Sequence, residues 1–149
     1  MLMSDSQAEI AFSLADEQLK FEVDGQIIEI SKGLNFIIAQ SVRFGGIDAL
    51  AIENMIYVIE ELLEQLKLDF RKQRKSQTAD ESMRQISTLF FNDAKHIDRN
   101  MLEHAFNEWV ERLEYYTNKV GHDFKLWAYF VMIREMMHHL NVIEIEIAS

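Results

Sequence analysis

Apolar positions recur every second residue at both ends of the chain and every three to four residues between them. Near the start, Ile10, Phe12 and Leu14 alternate with Ala11 and Ser13, the period of a strand with one buried face. Leu19, Phe21, Ile28 and Ile30 continue the alternation across Asp24-Gly25, a favoured two-residue hairpin turn. That turn sets Phe21 opposite Ile28, Leu19 opposite Ile30 and, on the other face, Lys20 opposite Glu29. Turn, register and charge therefore agree. At the far end Ile143, Ile145 and Ile147 alternate with Glu144 and Glu146, and the pattern predicts a further strand of one antiparallel sheet.

Between these ends the spacing predicts four to five helices. Leu34 to Val42 is a short apolar run that suits either a helix or a strand. Asp48 follows Gly45-Gly46 as an N-cap, and Ile52, Met55, Ile56, Ile59, Leu62, Leu63, Leu66 and Phe70 form one stripe. Thr78 and Glu81 have capping-box spacing ahead of Ala79, Met83, Ile86 and Phe90. Asp98 caps a helix with the stripe Leu102, Phe106, Trp109, Leu113 and Tyr116, closed by Gly121. The segment from about Asp123 to Asn141 is apolar around most of its circumference, as befits the central helix. The expected fold is α+β: four to five helices in a bundle packed on a small antiparallel sheet formed by the N-terminal hairpin and the C-terminal strand. A single domain spans 1–149, with about 1–8 as a flexible N-terminus.

Charge and composition narrow the chemistry. The net charge is −10, yet Lys67 to Lys75 carries five positive residues and one negative, so that segment is +4 and the remainder −14. An acidic body with one basic knot argues against nucleic acid as the ligand. Absence of cysteine excludes disulfides, thiolate metal sites and cysteine nucleophiles. The N-terminus lacks the basic and apolar regions of a signal peptide, and no apolar run approaches a membrane span, so the expected location is cytoplasmic. The glycines make no dinucleotide or P-loop fingerprint, and no serine sits in a nucleophile elbow.

Two constellations remain. Glu135 and His138 have the Glu-x-x-His spacing with which di-iron bundles point two ligands inward from one helix; iron, manganese or zinc would suit them. Asp93 and His96 copy that spacing with Asp, and Glu60, Glu64, Glu103 and Glu108 are available carboxylates. Facing argues against a di-metal centre, since His104, Glu108 and Glu111 turn away from the stripe of their helix. Arg134 falls between Trp127 and Met137 on the wheel of the most apolar helix. A part-buried guanidinium needs a carboxylate, carbonyl or aromatic partner, and a small anion held by Arg134, Trp127 and His138 is the functional version.

With common catalytic signatures absent, the leading expectation is a non-catalytic, inhibitor- or immunity-like module without a cofactor. Its basic protein partner would meet the acidic flank Glu53, Glu60, Glu61 and Glu64. The alternative is a ferritin-like metal-dependent oxidoreductase or small-anion-binding protein using Glu135 and His138. A third reading is a purely structural homo-oligomer, such as a homodimer, joined through the edge strands or the apolar last helix.

Overall fold

The Asp24-Gly25 turn forms with the register its residues predict. Strand β2 (Leu19–Val23) pairs antiparallel with β3 (Gln26–Ile30), and Phe21 faces Ile28, Leu19 faces Ile30 and Lys20 faces Glu29. A computed structural model describes residues 8–121 and 123–148. Of the N-terminal segment expected to be flexible, about 1–8, residues 1–7 lie outside the described residues. Strand β1 (Ile10–Leu14) pairs antiparallel with β2, burying Ile10, Phe12 and Leu14 beside Leu19, Phe21 and Val23.

From here the structure departs from a small antiparallel sheet. Helices α1 (Leu34–Ser41) and α2 (Ala49–Leu63) lead to a strand β4 (Arg74–Thr78), which pairs parallel with β1. Helix α3 (Glu81–Phe90), the short strand β5 (His96–Asp98), α4 (Arg99–Glu111), α5 (Leu113–Val120) and α6 (Phe124–His139) follow. The last strand, β6 (Val142–Ile147), lies parallel to β4 and antiparallel to β5. The sheet is six-stranded and mixed, in the order β3-β2-β1-β4-β6-β5. Parallel neighbours need crossover connections, and the helical segments are those crossovers rather than an independent bundle.

Local reasons account for each shifted boundary. Helix α2 ends at Leu63, not near Phe70, and the basic knot passes through a loop into β4. Thr78 is the last residue of β4, so Asp80, not Thr78, is the N-cap of α3. The helix expected to run from Asp98 to Gly121 breaks at Arg112, whose φ of −133° is not helical, and becomes α4 and α5. A register shift between Arg74 and Lys75 opposite β6 buries Val142, Ile145 and Ile147 in place of an unbroken 143, 145, 147 alternation.

Helices cover one face of the sheet. Its other face carries Ser13, Lys20, Glu22, Glu29, Lys75, His96 and Asp98, all exposed. Helix α6 is the centre of the helical layer, packing on α1, α2, α3 and α4, with Leu126 through Ile133 wholly buried. Trp127 stacks on Trp109 at 4.9 Å between centroids, and Phe130 stacks on Phe90 at 5.0 Å. Such aromatic contacts add about 0.5–1.5 kcal/mol each beyond their buried area.

Candidate functional site

Because β1, β4 and β6 are parallel, their carboxyl ends (Leu14, Thr78 and Ile147) lie along one edge. In open α/β sheets that edge is where ligands bind. The chain turns there through Ala15–Gln18, and this turn is held by α1: Leu34 N–H donates to the Ala15 carbonyl (3.0 Å) and Asn35 N–H to that of Asp16 (2.9 Å). Carbonyls thus occupy these N–H groups of α1. Gly33 makes the approach possible, since a Cβ there would stand 2.3 Å from the Ala15 oxygen and 2.5 Å from the Gln18 nitrogen.

Asp80 is the most constrained acid at this edge. Its Oδ2 accepts from Leu14 N–H (3.0 Å) and from the hydroxyl of Tyr129 (2.9 Å), and although Asp80 stands at the N-cap position its side chain makes no cap bond to α3. Burial, then the Asp80 charge and hydrogen bond, push the Tyr129 phenol well above its ordinary range. Asp16 pairs with Lys125 of α6 at 2.7 Å, and that bond raises the Lys125 pKa.

Beside this edge runs a groove of about 680 Å³, lined by Glu81, Arg84, Thr88, Lys119 and Asp123 among others. Arg84 is fixed on one side, donating to the carbonyls of Ala148 (2.7 Å) and Ala79 (3.2 Å) and pairing with Glu81 (3.4 Å). Cations suited to anionic oxygens and carboxylates able to accept a proton therefore share one surface. The sequence hinted at it only through Tyr129, a phenol in an apolar helix that requires a polar partner.

Of the residues singled out from sequence, Arg134, Glu135 and His138 lie toward the other end of α6. Arg134 is part-buried as expected, with Glu103 at 3.3 and 3.2 Å, Glu135 at 2.9 Å and the Phe106 ring at 4.4 Å. Burial opposes its charge, but the bonds to Glu103 and the field of Glu135 outweigh that and raise its pKa. The same guanidinium holds the Glu103 carboxyl below its usual range. Glu103 is the carboxylate of α4 that reaches Arg134. It precedes Phe106 by three residues and so flanks the core stripe.

Arg134 and His138 share a recess of about 160 Å³ with Glu103. Trp127 is not part of it, being buried against Trp109. Glu135 and His138 are not brought together either: His138 meets Glu103 at 3.2 Å, whereas Glu135 meets His139 at 3.2 Å. Glu135 is 2% exposed. Of the acidic flank, Glu53, Glu61 and Glu64 are exposed, while Glu60 pairs with His139 at 2.9 Å.

No family model matches the sequence, and no curated protein does. Solved structures do resemble it. A Ppx/GppA phosphatase of Aquifex aeolicus, in its type II variant, aligns with a TM-score of 0.75 and 9% identity over 99% of this chain and 55% of its own. The Aquifex aeolicus PPX-GPPA enzyme gives 0.70 with 9% identity over 94% and 52%. An exopolyphosphatase-like protein gives 0.69 with 9% identity over 95% and 54%. The chain spans about half the length of each, and at such identity the likeness is one of fold.

That fold replaces the expected helical bundle on a small antiparallel sheet. The solved chains of this fold include a phosphatase and an exopolyphosphatase-like protein, which counts against the non-catalytic, inhibitor- or immunity-like module, a reading built on the absence of common catalytic signatures and on acidity. The ferritin-like alternative falls with the same correction, since its di-metal centre needs four facing helices. Among the described residues no helix is long and apolar enough to cross a membrane.

Proposed function

We propose that the chain is a domain of phosphatase architecture that meets a phosphoryl-bearing substrate along the groove between Arg84 and Lys119. The observation carrying this reading is the fold, a six-stranded mixed sheet in the order 3-2-1-4-6-5 whose solved counterparts are phosphatases. The chemistry of the groove supports it. Arg84, oriented by two carbonyls, and Lys119 supply positive charge for phosphate oxygens, where preorganised cations do most of the work in phosphoryl transfer. Glu81 and Asp123, which also line the groove, are carboxylates able to take a proton from an attacking water.

Among the described residues no group of three metal-ligating side chains stands at this edge. Asp16 is paired with Lys125, and Asp80 accepts from Leu14 N–H and the Tyr129 hydroxyl. The test is phosphate release from an aryl phosphate monoester and from inorganic polyphosphate, with and without magnesium. Release that falls at least tenfold in both Arg84→Gln and Lys119→Gln, with unchanged circular dichroism, is the expected outcome. Absence of release from both substrates, with no shift of melting temperature by pyrophosphate, would refute the reading.

A further inference from the structure

At the carboxyl end of α6, opposite the phosphate groove, six charged or titratable side chains form one continuous run: Glu60, His139, Glu135, Arg134, Glu103 and His138. Each neighbour in it lies within 3.2 Å of the next. Arg134 and Glu103 satisfy one another, but the run is out of balance. Three carboxylates face one guanidinium, −3 against +1, so with neutral imidazoles it carries −2. The excess sits at the α2 side, where Glu60 and the buried Glu135 converge on one imidazole.

We propose that Glu60, Glu135 and His139 bind a divalent transition-metal ion of the zinc class. The potential ligand atoms of the three lie within 4.8 Å of one another. His139 Nε2 stands 2.9 Å from Glu60 Oε2 and 3.2 Å from Glu135 Oε1. Tetrahedral zinc with ligands at about 2.0–2.1 Å separates neighbouring ligand atoms by roughly 3.3 Å, so small outward movements would admit the ion. One imidazole and two carboxylates are the hard-to-borderline donors zinc accepts, and three protein ligands leave a fourth position for water.

The pre-organisation is unequal. Glu135, 2% exposed, is fixed because Arg134 Nη1 donates to its Oε2 at 2.9 Å, which leaves Oε1 turned to His139. Such a partner behind a ligand orients it and is worth roughly tenfold or more in metal affinity. Glu60 and His139 are part-exposed and reach the site from solvent, giving the ion an entry path. Helix geometry accounts for the donor pair: residues four apart on α6 share a face, and α2 packs on that face.

This site is independent of the phosphate reading. His139 and Lys125 are fourteen positions apart on α6, about 21 Å at the helical rise. Titration of the metal-stripped protein with zinc chloride alone, read by calorimetry and by metal analysis after desalting, tests it. One zinc per chain, weakened at least tenfold by Glu60→Gln and by His139→Ala, with His138→Ala within twofold of wild type, is expected. No stoichiometric zinc on the wild type, or equal uptake by the Glu60 and His139 variants, overturns the site. Loss in His138→Ala matching that in His139→Ala overturns the ligand assignment. Phosphate release by the same preparations reports the other reading separately.

Discussion

Replacing Gly33 by alanine tests the contact that shapes the carboxyl edge. The backbone there has φ −118°, a conformation open to any residue, so left-handed strain is not at issue. What forbids a side chain is space. The added Cβ would stand 2.3, 2.5 and 2.6 Å from the Ala15 oxygen, the Gln18 nitrogen and the Asp16 oxygen, all backbone atoms of one short turn. None is the end of a flexible side chain, so the turn must withdraw from α1. Withdrawal breaks the bonds from Leu34 N–H to Ala15 and from Asn35 N–H to Asp16. Two such bonds at about 0.5–1.5 kcal/mol each, with about 1–3 kcal/mol for overpacking, put the loss at roughly 2–6 kcal/mol. Urea unfolding at constant m reads it directly. Gly46 is the control: a Cβ there meets nothing within 4 Å and its φ is not positive, so Gly46→Ala should be neutral or stabilise by about 0.4–1 kcal/mol. A Gly33→Ala loss below about 1 kcal/mol, or equal losses at both glycines, would refute the reasoning.

Tyr129→Phe preserves the ring and deletes one donor to the Asp80 carboxylate; hydrogen bonds to charged groups suggest a loss of about 1.5–3 kcal/mol, and an unchanged urea midpoint would show that bond to be idle. Burial and the bond to Glu108 push the Tyr116 phenol from 10.0 to about 12, so the folded chain holds that proton more tightly than the unfolded one. Its contribution is intact below pH 10 and drains away as pH rises towards 12. Tyr116→Phe should therefore flatten the alkaline fall of unfolding free energy between pH 10.0 and about 12; an equally steep fall in the variant would exclude Tyr116 as a source.

The hairpin and α6 were legible because their signals are local. Asp24-Gly25 dictates a turn, and its flanks alternate on both faces. Strand β4 was not, because the residues it buries are Arg74, Ser76 and Thr78. Their burial rests on hydrogen bonds: Ser76 donates to the Glu144 carbonyl, Thr78 Oγ1 accepts from Asp80 N–H, and Arg74 donates to the Asp69 carbonyl. A hydropathy pattern cannot register burial of that kind. Strand β5 turns only Ile97 inward, too little for a period. Without β4 the ends of the chain had no strand between them, and an antiparallel sheet was the natural inference. The choice between His138 and His139 was equally hidden. Both lie within one turn of Glu135; the former leans to Glu103 on α4 and the latter to Glu60 on α2, and only the packing of three helices decides between them.

The net charge of −10 argues against nucleic acid as the ligand, and the structure limits how far that argument reaches. Charges further apart than about 8 Å are largely screened at physiological salt, so a small phosphoryl group answers to its immediate walls. In the groove Arg84 and Lys119 offset Glu81 and Asp123, +2 against −2, and much of the acidic charge lies elsewhere, on Glu53, Glu60, Glu61 and Glu64 along α2. A long polyanion such as nucleic acid must cross those surfaces and meets the whole charge; a substrate that enters one groove does not. The repulsion that weakens the first therefore leaves the second open, and on the proposed reading phosphate release from the aryl monoester should be far less sensitive to salt than release from long inorganic polyphosphate.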